Sequence, residues 1–483
     1  MKPLSITFIE PRGRQANVFE YSMNLPLMGS LILGTILSRA GHRVQILNEN
    51  ILCAPVDPLD LDAEIVCLSC LTLNANRGMD LARAIRLNHP RTRILIGGIH
   101  ASLVPEDFLD LADQVVTGEG ESVILDVVEG RLTDRVVHGK PVDDLDTLPV
   151  IDYSLLKGAE SMRVIPMMTS RGCPFDCNFC TVTRIFGRRY RKQSPERILA
   201  ELRNALAFFK GRNVFFYDDN LAVDVPRLDA LMEGITAENM GISWSAQVRA
   251  DIARDPELVA RMYRSGCNRV YIGFESIDDQ SLKALHKSQT RADVERAVAV
   301  IHEQGIQIHG MFIFGEDHDT TDSFARTADF AVRHDVDTVQ FMILTPFPGT
   351  RIYEKFEAEG RLLHRNWDYY DGMHAVFLPK GLSPLELQQG ALLAHRQFYS
   401  VDRSLCDIVD LVCRIGYDAL VWNFRQAIYY DPDNFILKVG ARFIISRFEK
   451  LNRSYFRYLG TSPPPLPASL PPDPGGPPEK SRE

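Results

Sequence analysis

Nowhere in the 483 residues does an uninterrupted apolar run approach the roughly 18 residues that a membrane-spanning helix requires. The longest apolar stretch, Leu25 to Leu37, is broken by Pro26, Gly29, Ser30, Gly34 and Thr35 and then meets Arg39, a pattern that predicts a buried helix. Met1 to Phe8 lacks the charged, apolar and cleavage regions of a secretory signal. A basic excess is also missing. Lys and Arg number 54 against 63 Asp and Glu, a formal charge of −9, and without clustered cations to release counterions no nucleic-acid partner is expected. Nine cysteines, an odd number scattered through so long a chain, make no disulfide framework. These absences predict a cytoplasmic protein. At 45% apolar residues, the chain can bury two or three cores.

Leu4, Ile6 and Phe8 alternate with polar residues as in a half-buried strand, and short apolar runs return at Val44–Leu47, Ile65–Leu68, Ile94–Ile96 and Val115–Val116. Helical stretches separate them, near Leu33–Ala40, Met79–Leu87 and Pro105–Leu111. Strand and helix in alternation predict an α/β fold with a parallel, doubly wound, Rossmann-like sheet over residues 1–142. The acidic, prolyl segment 143–160 reads as a linker. From Val164 the alternation restarts with candidate strands Val164–Met168, Val214–Tyr217, Ser243–Gln247, Val270–Phe274, Ile308–Phe314 and Val339–Ile343. Six strands are too few to close an eight-stranded barrel, so a partial (β/α)6 barrel of the TIM type, open on one side, is expected over 161–350. Residues 351–460 read as an accessory helical region. The Pro-dominated segment 461–483 reads as a disordered tail.

The strongest chemical signal follows the first strand of the second unit: Arg171-Gly172-Cys173-Pro174-Phe175-Asp176-Cys177-Asn178-Phe179-Cys180. Three thiols crowd into eight residues. Thiolates hold iron-sulfur clusters, usually four at a time, so three on a four-iron cluster would leave one iron open. Buried small side chains do not need such a loop. A structural zinc site needs a fourth ligand, and the nearest His or Cys after Cys180 is distant Cys267.

This loop resembles the signature of the radical S-adenosylmethionine enzymes, Cys-x3-Cys-x2-Cys with an aromatic before the last cysteine, here Phe179. The resemblance implies that Cys173, Cys177 and Cys180 bind three irons of a [4Fe-4S] cluster while S-adenosylmethionine chelates the fourth. One-electron reduction of the sulfonium then releases methionine and a 5'-deoxyadenosyl radical. An external reductant such as flavodoxin or ferredoxin is implied. Later strand ends carry further matches, which the resemblance places around the cosubstrate: Asp218 and Asp219 near its amino or ribose groups, Arg249 near its carboxylate, Glu275 and Ser276 near the ribose, and the strand containing Gly310 against the adenine. Each of these polar residues also reads as an ordinary solvated charge or strand cap, and Phe215, Phe216, Phe312 and Phe314 as core.

In the first unit, Ser69-Cys70-Leu71, Gly97-Gly98 and Thr117-Gly118-Glu119-Gly120-Glu121 stand where an open parallel sheet binds ligands. The combination resembles the cobalamin-binding domain fused ahead of many radical S-adenosylmethionine enzymes. Ser69 and Leu71 match its Ser-x-Leu element, and Gly97 and Gly98 its paired glycines near the nucleotide tail. The Asp-x-His-x-x-Gly element that supplies an axial histidine elsewhere is absent, and Arg12-Gly13-Arg14-Gln15 stands in its place. Relatives in the radical group bind cobalamin base-off without it. His42 caps a helix, and His100 suits a loop-positioning hydrogen bond. The other reading is a retained domain that only shields the barrel mouth.

The resemblance implies methyl transfer to an unreactive carbon of a small-molecule or lipid substrate. Relatives with this layout also close rings or rearrange skeletons, and an electron-transfer protein whose cluster consumes no S-adenosylmethionine is the reading from another class. Arg442 to Tyr458 interleaves five basic with five aromatic residues. Such a helix suits either peripheral contact with an anionic membrane or packing on the barrel with its basic side in water.

Overall fold

The computed structural model describes residues 2–13, 25–400 and 432–461, with side chains from 440 in the last stretch. The expected disordered tail, Cys406 and Cys413 lie outside these residues.

The front unit is a six-stranded, wholly parallel sheet. Its strands are β1 (Ser5–Glu10), β2 (Arg43–Asn48), β3 (Ile65–Ser69), β4 (Arg93–Gly97), β5 (Gln114–Gly118) and β6 (Val136–Gly139), in spatial order β2-β1-β3-β4-β5-β6. The order reverses between β1 and β3, which opens a crevice beyond their C-terminal ends, at Glu10 and Ser69. Strand β6 was not expected; its apolar run, Val136-Val137, is as short as the Val115-Val116 run of β5 with which it pairs. The broken apolar stretch does form a helix, Met28–Arg39, whereas Pro105–Phe108 is a 3-10 turn and not the longer helix its pattern suggested.

Residues 143–160 are not a loose linker. Leu145, Ile151, Tyr153 and Leu156 are buried, Tyr153 donates to the Pro166 carbonyl at 3.2 Å, and Ile46 bridges to Leu156, so the segment is sewn to both units.

The second unit is a parallel sheet of β7 (Val164–Met167), β10 (Asn213–Phe216), β11 (Ser243–Val248), β12 (Cys267–Glu275), β13 (Gln307–Phe314) and β14 (Thr338–Ile343), ordered as in the chain, with β7 and β14 at its edges. A two-stranded antiparallel ribbon, β8 (Ser170–Arg171) with β9 (Arg191–Lys192), brackets the cysteine loop. A Ser or Asp followed by Pro starts three of the helices, at Ser194-Pro195, Asp255-Pro256 and Ser383-Pro384. In each the side-chain oxygen takes an otherwise orphaned backbone N–H while Pro occupies the position whose N–H needs no partner.

Alternation along the strands sorts the two faces. Val214, Phe216, Ala246, Ile272, Phe274, Phe312 and Phe341 are buried under the helical layer. Phe215, Tyr271 and His309 lie half-buried on the inner face, their rings 5.0 to 5.2 Å apart. Phe215 therefore belongs to the interior wall, unlike the other three phenylalanines expected in the core. The accessory region closes one side: helix Pro384–Phe398 packs its His395 and Phe398 on Phe341 of β14.

The basic-aromatic segment is two helices, Pro432–Leu451 and Arg453–Gly460, broken at Asn452. Its aromatics divide. Phe448 and Tyr455 are buried, and Tyr455 stacks on Tyr369 at 4.2 Å and donates to the Ala375 carbonyl at 2.8 Å, whereas Phe443 is 71% exposed. The segment is thus packed on the accessory region through part of its aromatic set. No helix among the described residues is long and apolar enough to cross a membrane.

Phe341 touches Phe312, Phe314, His395 and Phe398, so it joins the barrel to the accessory helix. Phe341→Ala should destabilise the protein by about 3–5 kcal/mol through lost burial and the cavity left behind, read as a lower urea midpoint.

Candidate active site

The cysteine loop leaves β8 at Gly172, whose φ of +86° and approach to the Arg189 carbonyl exclude a side chain: a Cβ there would lie 2.4 Å from that oxygen. The loop is anchored at its middle. Asn178 donates its side-chain amide to the Ala284 carbonyl at 2.8 Å and its backbone N–H to Leu285, while its own carbonyl accepts from Ile352. Arg351 holds Asp176 at 2.8 Å. Cys173, Cys177 and Cys180 are all half-buried, and all three thiols are free. Burial raises each thiol above its ordinary pKa, Cys180 to about 12, with the neighbouring thiols and the Asp219 carboxylate adding to the effect on Cys173 and Cys180. The positive charges of Arg249 and Lys287 oppose it at Cys177. Such thiols are protonated at neutral pH, and a metal must displace their protons to bind.

The strand-end residues converge on this loop in different ways. Arg249 is buried, with its guanidinium 3.7 Å from the ring centre of Phe175 inside the loop, and it donates to the Lys287 carbonyl at 2.9 Å. Glu275 is buried against Lys287 at 2.6 Å, and a φ of +62° aims it there. Ser276 turns back to accept from the Asp278 N–H at 3.0 Å. Asp219 is exposed by area, yet protein surrounds it closely enough that desolvation, with the Asp218 charge, pushes its carboxyl up to about 7. Its charge acts on the thiols of Cys173 and Cys180, which places it beside the cysteine loop. Phe179 is half-buried against the core.

Two expectations are corrected by the packing. Asp218 does not face a cosubstrate: its oxygens accept from the Thr169 N–H at 3.1 Å, the Thr169 hydroxyl at 2.7 Å and the Ser170 hydroxyl, so it braces the approach to the cysteine loop. Gly310 lies on the outer face of β13, where a Cβ would meet Val336 and Phe274 at 3.1 and 3.2 Å. Its smallness serves the helical layer, and the inner-face residues beside it are His309 and Met311.

The C-terminal edge of the front sheet faces the C-terminal edge of the barrel. Tyr217 at the end of β10 donates to the Pro26 carbonyl at 3.3 Å, Trp367 donates to Asp107 at 2.6 Å, and Asn76 donates to Asn366 at 2.8 Å. Ser69 pairs with Gly97 across β3 and β4. Gly98 has a φ of +96°, and a Cβ on it would strike the Cys70 backbone at 2.6 Å, whereas one on Gly97 would meet only an ordinary contact. Leu71 donates its N–H to Asn74, which in turn bonds the Pro11 carbonyl, so the β1 and β3 loops are tied at the crevice.

Comparison with known proteins agrees with both edges. The family model for the radical SAM superfamily matches residues 167–366, and that for the B12 binding domain matches 15–128. The barrel segment is thus of the radical S-adenosylmethionine superfamily, and the front unit is a B12-binding domain. It is 28% identical over 404 residues to a bacteriochlorophyllide d C-12(1)-methyltransferase of Chlorobaculum tepidum, covering 81% of this chain and 86% of that one. An anaerobic magnesium-protoporphyrin IX monomethyl ester cyclase of Rubrivivax gelatinosus is 25% identical over 70% of this chain and 66% of its own length. In fold it is similar to the radical S-adenosylmethionine methyltransferase TsrM of Kitasatospora setae, solved with cobalamin and a [4Fe-4S] cluster, with a TM-score of 0.60 at 16% identity over 74% of this chain and 75% of that one.

The residues of this radical S-adenosylmethionine barrel and B12-binding domain fit those groups. Among the described residues no three His, Cys, Asp or Glu side chains are arranged to hold one metal ion. Cys173, Cys177 and Cys180 are free thiols on one loop, a soft donor set of the kind that holds iron-sulfur clusters. Among the described residues, neither His100 nor His42 offers an axial imidazole at the front domain's edge. His100 is fully buried between Phe108 and Trp367, with ring nitrogens bonded to Thr72 and Asp107, which is the loop-positioning role expected of it. His42 accepts from the Leu4 N–H at 3.3 Å near the end of its helix.

Sequence reasoning missed Lys287 and Glu10. Lys287 lies between His286 and Ser288, both with positive φ, and reaches the site only because that strained turn folds back on Glu275. Glu10 ends β1 and is buried at the crevice. One carboxylate oxygen accepts from the Leu27 N–H at 3.0 Å and from Asn48, the other is unpartnered, and burial pushes its carboxyl up to about 7.

Because the folded protein keeps the Glu10 proton to about pH 7 while the unfolded chain releases it near 4.5, stability should fall as pH rises across that window, by up to about 3 kcal/mol. Glu10→Gln should flatten that decline in urea titrations of the cofactor-free protein at pH 5 and 8. An unchanged slope would refute the assignment.

Proposed function

We propose that this protein is a cobalamin-dependent radical S-adenosylmethionine methyltransferase, acting on an unactivated carbon of a large, mostly apolar small molecule. The observation that carries the reading is the three-thiol loop on the barrel edge, facing the ligand-binding edge of a B12-binding domain. Cys173, Cys177 and Cys180 would hold the cluster, with its remaining iron open to S-adenosylmethionine. When bound, the cluster supplies one-electron cleavage of the sulfonium and the cobalamin supplies a methyl carrier. The relatives named for a bacteriochlorophyllide and a magnesium-protoporphyrin support a large substrate, as does the inner wall of Phe215, Tyr271 and Met311.

The protein's own contribution is binding and orientation. Arg249, held by Phe175 and the Lys287 carbonyl, presents fixed positive charge at the site's wall, where it would attract a carboxylate. The Glu275–Lys287 pair offers a carboxylate edge for hydroxyl or ammonium donors, and Ser276 stands beside it. Asp219 stands exposed beside the thiols of Cys173 and Cys180 and can accept from an amine or a sugar hydroxyl. On the front side, Gly98 keeps the β4 loop flat against Cys70, and Ser69 and Leu71 border the crevice where a corrin and its nucleotide tail would lie. A cytoplasmic setting and reduction by a flavodoxin or ferredoxin complete the proposal.

Anaerobic purification from cobalamin-supplied cells should give about four irons and one cobalt per chain. Cys173→Ala, Cys177→Ala and Cys180→Ala should each lose most of the iron. Turnover with methyl-labelled S-adenosylmethionine should place label in the product. Ring closure, the activity named for the Rubrivivax relative, would instead form 5'-deoxyadenosine with no label transferred, and that outcome overturns the methyltransferase reading.

A further inference from the structure

Two arginines and two glutamates are buried together where the front domain meets the cysteine loop, and none of the roles above uses them. Arg171 immediately precedes Gly172 and Cys173. Arg191 pairs with it across the β8–β9 ribbon, so the two arginines bracket the loop at its beginning and its end. Glu119 and Glu121 come from the other domain, on the turn that leaves β5. Arg171 binds Glu119 at 2.7 Å and Glu121 at 2.5 Å. Arg191 binds Glu119 at 2.9 Å through one guanidinium nitrogen and closely through the other. It also donates to the Val142 and Phe186 carbonyls at 2.7 and 3.2 Å. Glu119 further accepts the Val142 N–H at 3.0 Å. All four side chains are at most 6% exposed.

Such a quartet is a poor source of stability, since desolvating four charges offsets most of their attraction. It is a good source of geometry. Planar guanidinium-carboxylate bonds are directional, and a small slip would strand an unpaired charge in the interior. The two positive and two negative charges balance, so the quartet carries no net charge behind the cysteine loop. Burial opposes ionisation of Glu119, but the hydrogen bond from Arg191 and the charge of Arg171 outweigh it and hold the carboxyl below its usual range, so it stays charged at neutral pH.

We propose that Glu119 is a positioning residue: it locks the ribbon that frames the cluster loop to the B12-binding domain, and so fixes the cysteine loop against the front sheet's ligand edge. This rests on the cofactor assignment above. The lock has one centre, because among the described residues Glu119 alone touches both arginines and the segment that follows β6. Glu121 secures Arg171 alone.

Glu119→Gln keeps the shape and removes the charge. In the full-length loaded enzyme, amide hydrogen exchange in residues 170–192 and 117–123 should speed up at least about tenfold, since loss of one partner leaves a buried charge uncompensated. Iron and cobalt content should hold. Methyl transfer per 5'-deoxyadenosine formed should drop at least about tenfold, because sulfonium cleavage needs only the barrel whereas transfer needs both domains in register. The cluster's reduction potential should move positive, toward the unbalanced guanidinium, and Glu119→Asp, which keeps the charge, should restore it. Wild-type exchange together with a wild-type transfer ratio in Glu119→Gln would overturn the proposal. Should that variant not fold, Glu121→Gln and Arg191→Lys serve instead, and unchanged exchange and ratio in both would overturn it equally. If the unaltered enzyme forms no 5'-deoxyadenosine, the cofactor reading fails, while the exchange comparison still decides whether Glu119 holds the ribbon.

Discussion

Parallel strands deliver all of their C-terminal loops to a single edge, and this protein places two such edges face to face. Every polar feature of the candidate site follows from that constraint. The thiols, Asp219, Arg249 and Glu275 end strands or begin loops on one edge, while Glu10, Ser69, Gly98 and Glu119 do so on the other. Had either sheet been antiparallel, its loops would have been split between two edges and the chamber would have had one wall.

Holding two edges in register takes directional contacts, because apolar packing tolerates sliding. The boundary is correspondingly polar. Arg171 and Arg191 grip Glu119, Trp367 donates to Asp107 beside the buried His100, Asn76 meets Asn366, and Tyr217 reaches the Pro26 carbonyl. The accessory region takes part from the far side, since Trp367 and Asn366 belong to it. Backbone strain gathers at the same place. Of the residues other than glycine with positive φ, Glu275, His286 and Ser288 all surround the Lys287 pair next to the cysteine loop. A cost of this kind persists where the surroundings over-determine it.

Much of the fold was legible because apolar period and local punctuation are properties of consecutive residues. The six strands of the barrel were read from their apolar runs and the cysteine loop from spacing alone, while the Ser/Asp-Pro pairs at Ser194, Asp255 and Ser383 are local punctuation of the same kind that the structure shows starting helices. Elsewhere the reading failed. Strand β6 went unread although its apolar run matches in length that of its partner β5, and the segment after residue 142 reads as a linker although its apolar side chains are buried by both units. Asp218 and Gly310 were placed in the site by motif, but the first is consumed by Thr169 and Ser170 and the second faces the helical layer. Strand parity decides such questions, and a register of one residue reverses it.

The sequence by itself determined the chemistry available: three thiols in one tight loop without a neighbouring fourth, two runs of alternating strand and helix, and no basic excess or spanning segment. Thiol spacing and hydrophobic period are encoded within a few residues, so no folding is needed to read them. Only the tertiary structure decided which side chains share the chamber. Lys287 joins Cys177 and Glu275, and Glu119 joins Arg171 and Arg191 across 52 and 72 residues of chain, because burial of unlike charges selects partners by distance in space, on which sequence separation is silent.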